Sequence, residues 1–350
     1  MTLLLMPMMG RRTDSAKLAR GCLLEFDANS IIDVGQRSGR NRGDHQVPTL
    51  LVTGRSGFVG QSLFDESQRS LEPTWQLAAL PDALDIRDAG LAAAIDQCAP
   101  DAILHLAAAT SVADSFRDPD TCFDINFNGT LNLLRALRTL SWRGRLLYVS
   151  SGDCYGAPSA DALPVKEDTP LRPRNPYAVS KVATEALCYQ WSQTESLDVV
   201  IARPFNHIGP GQDARFAVAS FCAQIARIIE RGAEPVVLVG NLDVTRDFTD
   251  VRDVLRAYYA LLARGIPGEA YNVASGREVR LRDVLARALS IAGVQAEIRV
   301  DPARERAAEQ RRVVADIARI RRDTGWRPEI TLDRTLTEIL EYWRRRVRDE

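Results

Sequence analysis

The sequence has few histidines, and its cysteines follow no pattern. Its 350 residues include three histidines and six cysteines, with no CxxC pair and no Cys/His spacing typical of a metal site. This scarcity argues against a zinc centre and against a disulfide framework, so we predict no metal. Scattered single cysteines are typical of buried apolar positions in a reducing compartment.

The chain also lacks an excess of charge and a long apolar run. The 45 Lys and Arg residues balance 46 Asp and Glu residues, which does not favour a surface for nucleic acid. No apolar stretch reaches about 20 residues, and the short run in residues 1–9 lacks a preceding positive region. We therefore expect no membrane contact and a cytoplasmic protein. The arginines at 344–346 end a helix-like segment, where cations complement the helix dipole.

What is present from Pro48 onward is an alternation of short apolar runs with amphipathic stretches. This pattern predicts an α/β fold, a Rossmann-like doubly wound parallel sheet with a smaller α/β lobe. The strand predictions are Leu50–Thr53, Gln76–Leu80, Ala102–Leu106, Leu146–Ser150 and Val199–Ala202. The helix predictions include Gly60–Gln68, Leu91–Cys98, Phe123–Thr139, Pro176–Thr194, Ala217–Arg231, Arg282–Ala292 and Leu332–Arg346.

These patterns also predict how the chain is divided. Residues 1–46 are polar and Gly-rich near their end, and we interpret them as a flexible extension or as the product of a misassigned start codon. A dinucleotide-binding domain is expected over 47–204, with a return around 243–275. The smaller, substrate-binding lobe is expected over 205–242 and 276–350.

A glycine-rich segment follows the first predicted strand and opens a helix. In that context glycines let the backbone approach a pyrophosphate, and the helix N-terminus supplies N–H donors. Arg55 lies within this segment, where its guanidinium could bind a ribose 2′-phosphate, while no acidic residue ends the second strand. We therefore favour NADP(H) over NAD(H). The predicted cofactor residues of the segment are Gly54, Arg55, Ser56, Gly57, Phe58, Val59 and Gly60.

Tyr177 and Lys181 are four residues apart, which places them on one face of a predicted helix. A neighbouring ammonium favours the phenolate, and in the reductive direction the phenol donates a proton as hydride arrives. Ser151 ends a predicted core strand, where its hydroxyl can hold a substrate carbonyl.

With these motifs in this order, the chain from Pro48 to Arg346 resembles the extended short-chain dehydrogenase/reductases, the NAD-dependent epimerase/dehydratase family. The resemblance implies that Ser151, Tyr177 and Lys181 are the catalytic residues, with Lys181 also holding the nicotinamide ribose. It implies cofactor contacts from Asp85 and Ile86 to adenine and from the turn Leu106, Ala107 and Ala108. It also implies a mainly structural Asn126, and a homodimer in which the Tyr177 helix and 123–139 form a four-helix bundle with their symmetry mates.

The segments Arg203–Gly211 and Gly240–Phe248 are expected to supply positive charge and donors for a nucleotide diphosphate. Their wording, "FNHIGPGQ" and "GNLDVTRDFTDVRD", resembles the branch that acts on GDP-mannose and its derivatives. That resemblance implies substrate contacts from Asn206, Arg246, Arg306 and Ser111. Ala307 replaces the proline usual beside the branch's Arg, and Arg304 competes with Arg306 for the role. His207 is either near the sugar or packed in its loop, and a structural ion pair of Arg246 with Asp250 or Asp253 stays open.

The chemistry of Gly152 and Asp153 separates the possible reactions. Related dehydratases carry Asp-Glu or Ser-Glu there, whereas Gly152 has no side chain and Asp153 is one methylene shorter than Glu. We expect reduction of the 4-keto group of GDP-4-dehydro-6-deoxy-D-mannose to GDP-D-rhamnose, a step of nucleotide-sugar and polysaccharide biosynthesis. The alternatives are an NAD-dependent C4 epimerase, a GDP-mannose 4,6-dehydratase and a non-catalytic dinucleotide-sensing protein.

Overall fold

The computed structural model describes residues 47–69, 75–304 and 311–350. The expectations for residues 1–46 and for Arg306 lie outside these ranges. In chain order the described strands are β1 (Thr49–Thr53), β2 (Gln76–Ala79), β3 (Ala102–His105), β4 (Arg145–Val149), β5 (Asp198–Pro204), β6 (Asn206–Ile208), β7 (Val236–Val239), β8 (Thr245–Asp250), β9 (Ala270–Val273), β10 (Glu278–Arg280) and β11 (Glu297–Val300).

The described helices complete the two layers around the main sheet and most of the second lobe. They are α1 (Phe58–Arg69), α2 (Leu91–Cys98), α3 (Val112–Arg117), α4 (Pro119–Phe123), α5 (Gly129–Thr139), α6 (Pro176–Thr194), α7 (Ala217–Arg231), α8 (Val251–Arg264), α9 (Leu281–Ala292), α10 (Ala318–Thr324) and α11 (Leu332–Asp349).

Six parallel strands form the main sheet in the order β2-β1-β3-β4-β5-β9. Every residue of β1 and β3 is buried, as expected for a sheet covered on both faces. One face packs on α1 and α8, and the other packs on α2, α5 and α6. The strand order reverses between β1 and β3, so a crevice opens beyond their carboxyl ends, where doubly wound sheets bind ligands.

The second lobe has its own apolar core beneath two small sheets. Strand β8 lies between β10 and β6, and β11 pairs with β7. Helices α7, α9 and α11 close this core. Helix α11 buries Leu336, Ile339, Leu340, Trp343 and Val347, the i, i+3, i+4, i+7 spacing that places a single apolar stripe against a core.

The doubly wound sheet and its smaller lobe agree with the sequence prediction, and the five predicted strands are all present. Strand β9 adds a sixth strand, and α8 packs on the same sheet. The predicted helix 123–139 is helical but not uniform, because Asp124–Asn128 forms a π-helical turn before α5 begins at Gly129. A π turn holds one extra residue per turn and leaves little trace in the hydrophobic pattern, so periodicity did not detect it.

Candidate active site

The turn between β1 and α1 accepts only glycine at two of its positions. Gly54 has a φ of +74°, and a Cβ built there would lie 2.6 Å from the Ala107 backbone nitrogen. A Cβ at Gly60 would lie 2.5 Å from the Gly54 carbonyl oxygen. The Gly57 N–H donates to that carbonyl at 3.1 Å. The turn is therefore tight against β3, with its exposed rim at Arg55, Ser56 and Gly57 facing outward.

A buried histidine that sequence reasoning missed holds this turn. His105 Nε2 lies 2.9 Å from Thr130 Oγ1, whose own proton goes to the Asn126 carbonyl, so His105 donates here. His105 Nδ1 is then the acceptor for the Thr53 hydroxyl at 2.7 Å, and Thr53 Oγ1 accepts from the Ala107 N–H at 3.2 Å. Burial lowers the pKa of His105 to about 3, which keeps the ring neutral. The only signal in the sequence was a histidine immediately before Leu106.

The other predicted cofactor residues follow strands β1, β2 and β3 along the chain. The Arg55 guanidinium lies over the Phe64 ring of α1, 4.7 Å from its centroid. Asp85 accepts from Arg87 at 2.8 Å, and hydrogen bonding to Arg87 lowers the pKa of Asp85. Ile86 is buried, and its carbonyl accepts from Asn132. Leu106, Ala107 and Ala108 are half-buried directly after β3.

Ser151, Tyr177 and Lys181 come together from two elements. Ser151 lies two residues beyond β4, and Tyr177 and Lys181 lie on the first turns of α6. That helix begins where the sequence allows it to: the Asn175 side chain accepts from the Ala178 N–H, and Pro176 occupies the first helical position. The Ser151 side chain lies near enough to the Tyr177 phenol to lower its pKa. Lys181 Nζ donates to the Val149 carbonyl at 2.8 Å and lies 6.0 Å from the Tyr177 ring centroid.

The electrostatics of this group favour a neutral phenol. Burial raises the pKa of Tyr177, the Asp153 carboxylate raises it further, and the Ser151 side chain opposes both. Burial lowers the pKa of Lys181 to about 8, so the ammonium form still dominates at neutral pH. A protonated phenol beside a hydroxyl and an ammonium can act as a general acid toward an oxygen that gains negative charge.

Asn126 explains how the π turn supports the site. Its side chain is buried and exchanges hydrogen bonds with the backbone of Ala109, accepting from the N–H at 2.8 Å and donating to the carbonyl at 3.1 Å. It also donates to Ser180 Oγ at 2.9 Å on the Tyr177 helix. One amide therefore ties the segment after β3 to α6, in agreement with the structural role that the family resemblance implied.

The residue after Ser151 has little room for a side chain. A Cβ on Gly152 would lie 3.0 Å from the ring of Phe205, closer than ordinary van der Waals contact. Asp153 is half-buried, and its N–H donates to Ser151 Oγ at 3.1 Å. At the two positions that carry an acid pair in related dehydratases, this chain has a carboxylate at Asp153 and no side chain at Gly152.

The predicted substrate residues lie in the second lobe and along its border. Asn206 is exposed on β6 and opposite Phe248 on β8, and Arg246 is two residues before Phe248, so Asn206 and Arg246 share a face of the three-stranded sheet. Ser111 is half-buried and accepts from the Asp114 N–H as the N-cap of α3. Arg304 donates to Ser220 and pairs with Asp301.

Contacts within the predicted phosphate-binding segments bear on the expectations for Arg203, His207 and Arg246. Arg203 cannot supply free positive charge, because it is 6% exposed and paired with Glu185 at 2.6 Å. His207 lies on β6 and is packed there: its Nδ1–H donates to the Phe205 carbonyl at 3.0 Å, and its ring stacks on Phe58 of α1. The carboxylates considered for Arg246 have other arginine partners, since Asp250 pairs with Arg252 and Asp253 with Arg256.

A glycine turn at a switch point, together with a half-buried serine and a buried Tyr/Lys pair, defines an extended short-chain dehydrogenase/reductase. A family model described as GDP-mannose 4,6 dehydratase matches residues 79–339, and the chain belongs to that family. Within the described ranges, no helix is both long and apolar enough to cross a membrane.

Named relatives and solved structures match most of the length of the chain. The chain is 48% identical to GDP-6-deoxy-D-mannose reductase of Pseudomonas aeruginosa over 86% of its own length and 99% of the relative's. It is 30% identical to UDP-glucose 4-epimerase of Mycolicibacterium smegmatis over 84% of its length and 98% of the relative's. The structure of RMD from Pseudomonas aeruginosa complexed with NADPH matches with a TM-score of 0.79 at 46% identity, covering 85% of this chain and 99% of that one.

Proposed function

We propose that the chain reduces the 4-keto group of GDP-4-dehydro-6-deoxy-D-mannose to GDP-D-rhamnose with NADPH. The observation that carries this proposal is the convergence of Ser151, Tyr177 and Lys181 beside the glycine turn, in a chain 48% identical to a GDP-6-deoxy-D-mannose reductase.

NADPH supplies the hydride when it is bound. Ser151 then donates a hydrogen bond to the C4 carbonyl oxygen and orients it. Tyr177 transfers its phenolic proton to that oxygen as negative charge develops, a step that needs the neutral phenol that burial and Asp153 favour. Lys181 holds the ribose hydroxyls and stabilises the phenolate that remains.

The residues present fit a phosphorylated dinucleotide. The cradle between Gly54 and Gly60, which a Cβ would fill, brings backbone N–H groups and the N-terminus of α1 close to a pyrophosphate. Arg55 on the exposed rim would hold the 2′-phosphate, with NADH as the weaker ligand. Asp85 and Ile86 would contact adenine, and Leu106, Ala107 and Ala108 would line the cofactor along β3.

The second lobe would hold the GDP-sugar. Asn206 and Arg246, which share one face of the small sheet, are assigned to the diphosphate, and Arg306 to the nucleotide. Ser111 is assigned to the hexose. We assign residues 47–204, with a return over 243–275, to the dinucleotide-binding domain and 205–242 with 276–350 to the substrate lobe. Strand β8, which carries Arg246 within the return, pairs with β6 and β10 and so belongs to the substrate side.

Gly152 favours reduction over dehydration. Eliminating water requires an acid and a base besides the redox group, and Gly152 supplies no side chain at a position that the ring of Phe205 crowds. A misplacement of about 1 Å costs on the order of 100-fold in rate, so Asp153 alone is a poor substitute for the pair.

We also propose a cytoplasmic homodimer built on a four-helix bundle. Helix α6 exposes Val179 and Tyr189, and neighbouring α3 exposes Phe116, with 40%, 54% and 55% of their surfaces accessible. Apolar side chains grouped on one side of a domain are typical of an interface. Sedimentation of the wild-type protein at two concentrations distinguishes dimer from monomer.

Product identification tests the reaction. GDP-mannose is incubated with a separate dehydratase, NADPH and the protein, and the sugar is identified by NMR. We expect GDP-D-rhamnose, formed with one NADPH consumed per sugar. An epimerised sugar formed without added NAD(P)H would instead support the C4 epimerase, and 4-keto product made by this chain from GDP-mannose would support the dehydratase.

A further inference from the structure

A buried ion pair lies directly beneath the catalytic group. Arg203, on β5, donates to Glu185, on α6, through Nε at 3.0 Å and Nη2 at 2.6 Å. The two side chains are 8% and 6% exposed, so both charged groups are almost completely removed from solvent. Buried ion pairs contribute little net stability, because the cost of desolvation offsets the attraction. Stability alone therefore does not account for the Arg203–Glu185 pair.

The remaining guanidinium nitrogen of Arg203, Nη1, contacts the segment that follows Ser151. Its Nη1 donates to Tyr155 Oη at 2.9 Å and to the Glu167 carbonyl at 2.9 Å. Tyr155 ends the short helical turn Gly152–Tyr155, which starts immediately after Ser151. The Tyr155 hydroxyl in turn donates a hydrogen bond to Oδ1 of Asn272, on β9, at 2.7 Å. One guanidinium therefore connects the Ser151 turn to the Tyr177 helix.

Glu185 has the matching position on α6. Tyr177, Lys181 and Glu185 are spaced by four residues, lie on one face of the helix and are each less than 9% exposed. A sliding or rotation of α6 that displaced the Glu185 carboxylate would displace the phenol and the ammonium with it. The bidentate geometry of the guanidinium restricts both movements, which a point charge would not do.

We propose that Arg203 and Glu185 are positioning residues that fix the distance between Ser151 on one element and Tyr177 with Lys181 on the other. Neither side chain touches the substrate or the cofactor on this view. The inference rests on the proposed function for its kinetic consequence, but its structural consequence is independent of the reaction.

Arg203→Lys tests the proposal, with Arg145→Lys as its matched control. Lysine keeps a positive charge but cannot reach Glu185 and Tyr155 at once. Arg145 is also buried, pairs with Asp198 at 3.0 Å and donates to the carbonyls of Leu261 and Leu262, but it lies at the amino end of β4, away from Ser151. The two substitutions therefore remove similar interactions at opposite ends of one strand pair.

We expect Arg203→Lys to lower kcat by roughly 10- to 100-fold with the KM for sugar nucleotide and the Kd for NADPH within about twofold, since small displacements act on the transition state. Arg203→Lys and Arg145→Lys should lower Tm by similar amounts, but Arg145→Lys should leave kcat within about twofold of the wild-type value. Tyr155→Phe, which removes the hydrogen bonds of Tyr155 to Arg203 and to Asn272 but leaves the Arg203–Glu185 pair, should give a smaller fall in kcat. Equal kcat values for the Arg203→Lys and Arg145→Lys variants would overturn the proposal.

Crystal structures of the wild type and Arg203→Lys supply a readout without turnover. An increased separation of Ser151 Oγ from Tyr177 Oη in the variant supports the positioning role even if the wild type fails to reduce the 4-keto sugar. An unchanged separation overturns the inference whether or not the reaction is the one proposed.

Discussion

The two sides of the proposed site are built differently. Tyr177 and Lys181 are 8% and 4% exposed, and their helix is tied to its surroundings through Asn126, Val149 and the Arg203–Glu185 pair. On the substrate side Asn206 is exposed and Arg246 is half-buried. The groups proposed to move protons are thus buried and held by hydrogen bonds, whereas the groups proposed to recognise the nucleotide are more exposed. Chemistry should depend on fixed geometry and recognition on individual contacts.

Tyr177→Phe probes the rigid side most directly. Removing the phenolic proton donor without changing the ring should lower kcat by about 10²- to 10⁴-fold while the Kd for NADPH changes little. Stopped-flow oxidation of NADPH and fluorescence titration measure the two quantities. Tyr342→Phe, at a half-buried tyrosine on α11 in the second lobe, is the control and should behave as wild type. A variant with more than a tenth of wild-type kcat would remove Tyr177 from its role.

Arg246→Ala probes the open side. Loss of a charge-assisted contact to phosphate costs about 1.5–3 kcal/mol, so the KM for the sugar nucleotide should rise by roughly 10- to 100-fold with kcat little changed. Arg280→Ala removes an exposed arginine from the adjacent strand of the same small sheet and serves as the control. A fall in kcat at unchanged KM would show that the two sides are not separable in this way.

Arg55→Ala tests recognition on the cofactor rim. Because Arg55 is exposed, its ion pair with a 2′-phosphate is worth about 1 kcal/mol, which corresponds to roughly a fivefold weaker Kd for NADPH and no change for NADH. Arg138→Ala, which removes another exposed arginine stacked on an aromatic ring, controls for general effects. Equal losses for both cofactors would contradict the preference for NADPH.

Asp153→Asn should produce the smallest effect on rate and a characteristic effect on pH dependence. The Asp153 carboxylate raises the pKa of Tyr177, so neutralising it lowers that pKa. Reduction needs the protonated phenol and is lost as pH rises through its pKa. Because Lys181, with a pKa of about 8, loses its proton before the phenol, the kinetic profile does not isolate Tyr177. The Tyr177 phenolate, followed by its ultraviolet absorbance with Tyr177→Phe as the blank, should instead form at lower pH than in the wild type, with kcat at neutral pH within about twofold. The exposed Asp161→Asn variant should leave this titration unchanged, and an unshifted titration in Asp153→Asn would exclude the interaction.

The sequence predicted the sheet and the chemical motifs because both have short-range signals. Alternating apolar runs identified the strands, and glycines after a strand or a Tyr/Lys spacing of four identified local geometry. The supports of those motifs were not predictable in the same way. His105, Glu185 and Arg203 act through partners 18 to 52 residues away, and no periodicity connects a strand-end histidine to Thr53 or an arginine to Tyr155.

Arg203 shows most clearly why the contacts were needed. In the sequence it stands before Asn206 in a segment rich in donors, which made it a candidate for binding phosphate. In the folded chain the side chain of Arg203, on β5, points into the interior. There it pairs with the carboxylate of Glu185, four residues beyond Lys181. Side-chain direction depends on strand register, which a single sequence does not specify.

The π turn at Asp124–Asn128 has a consequence for how this chain tolerates insertions and deletions. Each residue of an α-helix rotates the next by about 100°, so one extra residue lets the segment before the turn and the segment after it address different neighbours. Asn126 reaches the Ser180 side of the cleft, whereas α5 buries Leu133, Leu134 and Leu137 against the sheet. A chain shortened by one residue here would regain a regular helix and lose one of these two alignments. Length at this point is therefore as constrained as residue type.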